Sequence, residues 1–295
     1  INLIDEGKLG FISGKQELIR SGSFDDIDAA MLSHATSKES DGDLAVGGTS
    51  LGHLVKYVEF FGLASHAAGA PQDGINALKA ANIAMLAMDS QRESFEDKDK
   101  VRVHGILTAG GTSVNSIPSI AKLEWRIRGR TIDVVNKINI KIDRSIKAGA
   151  MAMGAKVRIR SIAGNLPMLQ NKDMNNLYLN NAENIVGKNN VVVHPDDQSG
   201  GSTDMGDLSQ ILPIIHPRSG GAEGTGHGNN YFIKDYEKSV INPAKAMATT
   251  IIDLLWPDDM KINEVINNHK PNYSISEYIQ LQNKRMGNDY YDYTS

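Results

Sequence analysis

The sequence contains no cysteine. That excludes disulfides, thiolate metal ligands and a cysteine nucleophile. No apolar stretch reaches the length needed to span a bilayer. No run of Lys or Arg is dense enough for a nucleic-acid groove, and the net charge is −4. No GxGxxG follows a strand, and there is no phosphate-binding loop, HExxH or GxSxG, so the usual nucleotide, zincin and hydrolase-elbow readings have no support. Internal repeats and low-complexity tracts are absent. No secretory signal pattern is visible, and the expected location is cytoplasmic. What remains is a composition of 40% hydrophobic and 22% charged residues over 295 positions, ordinary for one large or two modest globular domains.

Hydrophobic periodicity organises the chain. "DIDAAMLSHA" ends an apolar run, expected to be a buried strand with His34 just past its tip. Tyr57–Leu63 is the next strand. Ile75, Leu78, Ala81, Met85 and Met88 then recur at helical spacing, with Asp73 as the expected N-cap. "KVRVHGILTAGG" and "AKLEWRIRG" read as strands. Asp133 is placed to cap a second helix whose stripe is Val135, Ile138, Ile142 and Ile146. "KVRIRSIAG" closes the block. Residues 56–164 therefore read β-α-β-β-α-β, the split pattern of a ferredoxin-like sandwich. Flanking strands and helices alternate, including "NPAKAMATTIIDLLW" with Pro243 in its first turn, which predicts an α/β layer.

The predicted fold class is thus α/β: one α/β domain interrupted by an inserted ferredoxin-like domain. The expected boundaries are 1–55 and 165–256 for the two parts of the α/β domain, 56–164 for the insertion, and 257–295 for a polar surface extension. The opening residues give no start-of-domain signal, so the chain is expected to begin partway through a larger fold.

Histidines mark the ends of several elements. His34 follows a strand, His194 and His216 precede prolines, and His227 lies in "GAEGTGHGNN". His66 sits among small residues in "FFGLASHAAGAPQDG". Neutral imidazole is the commonest metal ligand, but a lone histidine at a strand tip is more often a hydrogen-bonded structural residue. Spacing alone identifies no metal site.

Five segments together carry a resemblance: "FDDIDAAMLSHA", "FFGLASHAAGAPQDGINAL", "HGILTAGGTSVNSIPSIAKLEWRIRGRT", "GSTDMGDLS…PIIHP" and "GTGHGNNYFIKDYE". Their order and spacing resemble the aminoacylase and carboxypeptidase-G-type metallopeptidases, closest to the aminobenzoyl-glutamate utilisation B and indoleacetyl-amino-acid hydrolase branch. The resemblance runs from residue 1 to about Trp256. It implies hydrolysis of the amide bond of N-acyl amino acids or dipeptides by water activated on Zn²⁺ or Mn²⁺. It implies His34 and His227 as metal ligands, and His66 as the lid histidine that reaches a partner subunit's site and holds the reacting carbonyl oxygen. Asn115 and Arg128 are implied to bind substrate, Arg128 through a carboxylate. For Arg128 a solvated strand face remains an equal reading. Asp204 and Asp207 resemble a family motif, although helix capping explains Asp204 as well.

The family's first metal ligands and its Glu-Glu pair lie upstream of the segment matching residue 1, and nothing here replaces them. Two histidines fall short of the three protein ligands usual for catalytic zinc. The expectation is the C-terminal portion of a metal-dependent amidohydrolase, inactive as this chain alone; the alternative is a non-catalytic dimerising or binding protein built from the same parts. A homodimer through residues 56–164 is expected, with Ala84 and Met88 on its contacting helix, and neither nucleic acid nor membrane is an expected partner.

Overall fold

The computed structural model describes residues 2–256 and 261–294, with only the backbone at 195–199. Helices α1 (Asn2–Asp5) and α2 (Gly14–Arg20) come first, then strands β1 (Ala30–Met31), β2 (His34–Ala35) and β3 (Leu44–Ser50). Next are β4 (Gly52–Phe61), α3 (Ala77–Asp89), β5 (Arg102–Ala109), β6 (Ile120–Gly129), α4 (Ile132–Ala152) and β7 (Lys156–Ala163). Then come α5 (Lys172–Val186), β8 (Val191–Ser199), α6 (Met205–Leu208), β9 (Ile214–Ile215), β10 (Arg218–Ser219), β11 (Ala222–Glu223), β12 (Phe232–Ile233) and α7 (Asn242–Leu255). Finally there are α8 (Lys261–Asn268), α9 (Ile275–Lys284) and β13 (Gly287–Asp292). No helix among the described residues is long and apolar enough to cross a membrane.

The chain is mixed α/β and divides into two compact units. One comprises Ile1–Glu17, Leu51–Pro167 and Ile279–Ser295. Its antiparallel sheet runs in the order β13-β7-β4-β6-β5. Along β4, Leu54, Val58 and Phe60 are buried with residues of α3 and α4, while Tyr57 and Glu59 on the alternate face stay partly open. Lys56 also faces the helices. It is fully buried, 2.6 Å from an Asp143 carboxylate oxygen and donating to the Ser161 hydroxyl at 2.7 Å.

The stripe Val135, Ile138, Ile142 and Ile146 is buried as its spacing predicts. The buried face of α3 differs: it is Ala77, Ala80, Ala81, Ala84 and Met88. Alanines let α3 approach α4 closely, and a Cβ on Gly149 would lie 2.5 Å from the Ala80 carbonyl oxygen. Ala84 and Met88 are therefore core residues at 0% and 1% exposure, and not the dimer contact expected of them. The caps differ too. Asn76, not Asp73, accepts from the Lys79 amide at 3.0 Å, and Thr131, not Asp133, accepts from the Val134 amide at 3.2 Å. Asp73 lies in a separate short turn, Pro71–Asp73.

His53 lies where the chain enters this sheet, 5% exposed, with Nδ1 accepting from the Asn165 amide at 3.2 Å. Arg285, also buried, donates to the carbonyls of His53 at 2.6 Å and Gly164 at 3.0 Å. A residue just past α9 thus ties together the backbone that enters and leaves the block β4–β7.

The second unit comprises Leu18–Ser50 and Met168–Tyr278. Its four-stranded sheet has the order β2-β10-β3-β8, with β3 and β8 parallel. Leu44 and Val46 of β3 cluster with Met174, Tyr178 and Ala182 of α5 and with Ala246 and Leu254 of α7. Asn171 caps α5 by accepting from the Met174 amide at 2.9 Å. The expected single strand ending before His34 is broken into β1 and β2, with His34 inside β2 and not past its tip.

Burial, followed by the charge of Arg128, lowers the pKa of His53 from 6.5 to about 3. The unfolded chain binds this proton more tightly, so the contribution is complete above about pH 6.5 and is lost as pH falls toward 3. His53→Asn keeps an acceptor near Nδ1 and removes the titration. Between pH 7 and pH 5 the parent should lose about 2 kcal/mol more stability than this variant. Denaturant titration followed by the emission of buried Trp125 measures this, and superimposable pH profiles would refute it.

Candidate active site

His66 lies in the loop after β4, whose small residues have two effects. A Cβ on Gly62 would meet the Ile75 carbonyl oxygen at 2.0 Å, and one on Gly74 would meet Ile117 Cδ1 at 2.6 Å. The loop is therefore folded tightly on its own backbone. That packing holds the imidazole. Nδ1 of His66 accepts from the amides of Gly69 at 2.9 Å and Ala68 at 3.2 Å. Both donors are backbone N–H groups, so Nδ1 carries no proton and Nε2 carries it. The ring is exposed and presents Nε2–H as a donor.

Asn115 is brought to the same place. The Ala67 amide donates to the Asn115 carbonyl at 2.9 Å, and the Ile117 amide donates to the Ser65 carbonyl at 2.9 Å. His66 and Ser116 pair as an isolated antiparallel bridge. The loops carrying His66 and Asn115 are thus one unit, and Asn115 is exposed.

Arg128 is elsewhere. It sits near the far end of β6, opposite His53 on β4 and Arg102 on β5. Eight strand steps separate Ile120, next to the Asn115 loop, from Arg128, which is roughly 26 Å along the strand. Its Nε donates to Nε2 of His104 at 3.3 Å. Burial, then the charges of Arg128 and Arg126, lower the His104 pKa, which favours the neutral ring that accepts this bond. Burial and Arg126 also lower the pKa of Arg128. Arg128 and Arg126, beside the exposed His104 ring, form a surface suited to an anion, with His53 buried beneath it. Neither His104 nor Arg126 stands out in the sequence. The strand alternation of "KVRVHG" against "EWRIRG" places both on the open face, and that signal depends on knowing the register.

In the second unit, His34 meets a histidine given no role above. The rings of His34 and His216 lie 6.0 Å apart, edge to face. His34 Nδ1 is 2.8 Å from the Ala35 carbonyl oxygen, leaving Nε2 for another partner. Gln170 holds His216 in place: it accepts from the His216 amide at 2.7 Å and donates to the carbonyls of Gly47 and Gly48. His227 lies exposed on the loop between β11 and β12, at φ 64°. That loop reaches β2 through the Tyr231 hydroxyl, which donates to the Ala35 carbonyl at 3.0 Å. His194 is accounted for structurally, with Nε2 2.9 Å from buried Asp41. Asp207 is fully buried and accepts from the Tyr278 hydroxyl at 3.0 Å. Asp204 stands at the start of α6 without a capping bond from its side chain; the Met205 amide goes to Thr203 Oγ1 instead.

Among the described residues, no group of three or more His, Asp or Glu side chains is placed to hold a metal ion. The residues present do not by themselves fit a catalytic ion, which ordinarily takes three protein ligands.

Comparison with known proteins gives the context. Residues 51–151 match the peptidase dimerisation domain of the M20 family. Xaa-Arg dipeptidase of Mus musculus is 30% identical over 255 residues, which are 82% of this chain and 56% of that protein. Indole-3-acetyl-aspartic acid hydrolase of Enterobacter agglomerans is 34% identical over 149 residues, 50% of this chain and 34% of the relative. The crystal structure of an aminobenzoyl-glutamate utilization protein from Klebsiella pneumoniae superposes with a TM-score of 0.61 at 20% identity, covering 82% of this chain and 58% of that one. The chain spans little more than half the length of the dipeptidase it matches. It is a relative of the aminoacylase and carboxypeptidase-G-type hydrolases, and it carries their dimerisation domain at residues 51–151.

Proposed function

We propose that the chain is the C-terminal portion of a metal-dependent hydrolase that cleaves the amide bond of N-acyl amino acids or dipeptides. In this reading residues 56–164 are the inserted lid and self-association domain. The observation that carries it is the state of His66. Two backbone amides occupy Nδ1, and Nε2–H is left exposed beside Asn115. Such a donor pair suits an amide carbonyl oxygen that gains negative charge as the bond is attacked. Arg128 binds the carboxylate of the released amino acid, and His104 orients its guanidinium.

The separation of these groups supports action across two copies. A span of roughly 26 Å along β6 exceeds the reach of a dipeptide, so His66 and Asn115 of one copy serve a substrate held by Arg128 of another. An isologous pair places each residue twice and completes two sites. The free edge β5 is the natural contact, with Ile106 and Leu107 exposed on it and Leu86 exposed on α3. His34 and His227 are proposed metal ligands of the whole enzyme, and the ion it uses is Zn²⁺ or Mn²⁺. In this reading the remaining ligands and the general base belong to a part of the enzyme other than this chain.

The incomplete ligand set also favours a second reading, a non-catalytic dimerising or binding protein. The coding sequence upstream of Ile1 separates the two. An in-frame extension with His/Cys-x-His and Glu-Glu segments supports the enzyme, and a start codon near Ile1 supports the other.

Two outcomes are expected of the chain as it stands. With added Zn²⁺ or Mn²⁺ it should not turn over N-acyl amino acids or dipeptides, because positioned proton transfer alone contributes about 10²–10⁴-fold and its base is missing. Turnover that survives repurification and vanishes in His227→Ala would defeat this. Equilibrium dialysis should find a weak Zn²⁺ site that His34→Ala removes, and a tight site indifferent to that change would show that the ligands are wrong.

Light scattering should find a dimer that Ile106→Lys or Leu86→Lys converts to a folded monomer. A parent chain that is monomeric at every concentration would remove the two-copy reading.

A further inference from the structure

The segment after Trp256 reads as polar surface, yet it completes a sheet. β13 pairs antiparallel with β7 at six successive positions, from Gly287 opposite Ser161 to Asp292 opposite Lys156. Both faces of the strand are engaged. On the helix side, Tyr291 stacks with Tyr293 at 6.4 Å, and the Lys147 ammonium lies 4.0 Å above the Tyr291 ring. On the open side, Tyr290 lies 6.3 Å from Phe61, and Asp292 pairs with Lys156 at 2.9 Å.

The preceding residues anchor it. Gln282 and Arg285 both donate to the Gly164 carbonyl, and the Met286 sulfur lies 3.2 Å from the Ala163 amide. One charge pair joins the two strands, Lys156 of β7 with Asp292 of β13; Arg158 and Arg160 of β7 pair instead with Glu59 and Asp5.

Without β13, the eight residues of β7 would form a sheet edge with a row of unpaired amides and carbonyls. β13 is a much poorer template. It has six residues and two acids, and its end turns away where Asp292 accepts from the amide and hydroxyl of Thr294. Short, charged, irregular strands are the usual protection of an edge.

We propose that residues 287–292 are a guard strand, seated on β7 of the same chain, which keeps that edge from accepting a strand of a second copy. The inference depends on the two-copy reading only for stoichiometry. With β7 covered, association through β5 stops at two.

The test is a chain ending at Met286, which keeps Gln282, Arg285 and the Met286 sulfur. Light scattering across a wide concentration range should give a mass at least twofold above the full chain at the highest concentration. The peptide GNDYYDYTS added in trans should return it to the full-chain value. An unchanged mass, or growth that the peptide does not reverse, overturns the proposal. If the shortened chain does not fold, judged by Trp125 emission, the full-length variant Tyr291→Ala/Asp292→Lys decides. Amide exchange along β7 should then rise at least tenfold together with the mass, and faster exchange without a mass increase overturns the proposal. A parent chain that proves monomeric sinks the β5 contact alone, because loss of the guard should still raise the mass.

Discussion

The contact of α3 with α4 at Ala80, Ala84 and Gly149 sets the layout of the first unit. Because these helices meet almost backbone to backbone, both fit over one face of the sheet. Every apolar position of β4, β6 and β7 on that face is then used for the core. The opposite face keeps its charged and polar side chains, and the loops at the strand ends are free to carry chemistry. A larger side chain at Gly149 would force the helices apart and reopen the core, since interiors tolerate little extra volume.

The two proposed substrate groups differ in how they are held. His66 is positioned by main-chain amides of its own loop, and its orientation survives changes in distant side chains. Arg128 is positioned by register: its place opposite His53 and its bond to His104 exist only if β4, β5 and β6 pair as they do. A one-residue slip would turn it into the core. One end of the sheet thus owes its geometry to local turns and the other to long-range pairing.

Much of this was legible in the sequence. The strands β4, β5, β6 and β7 and the stripe of α4 follow from alternation and helical spacing, because both express one-sided burial. The caps were not. Asp73 and Asn76, or Thr131 and Asp133, are equally good acceptors, and only the exact start of the helix selects one. Apolar residues around much of α3 read as a surface for a second copy, whereas close helix packing makes Ala84 core. The proximity of His34 and His216 arises from strands far apart in the chain, so spacing could not reveal it. β13 is hidden by composition: Asn, Asp and Tyr read as surface until the β7 edge that they pair with is found beside them.

Arg285 has a consequence in time as well as in space. It binds the carbonyls of His53 and Gly164, which precede it by 232 and 121 residues. A chain emerging from the ribosome makes β4 through β7 long before it makes Arg285. During that interval the two strands of backbone that Arg285 will join have no such tie, and the sheet is a strand short. Contacts of such separation close slowly, because loop entropy must be overcome before they contribute. The first unit is therefore expected to gain its final rigidity late in synthesis, with the strand ends at His53 and Gly164 the last part of it to become fixed.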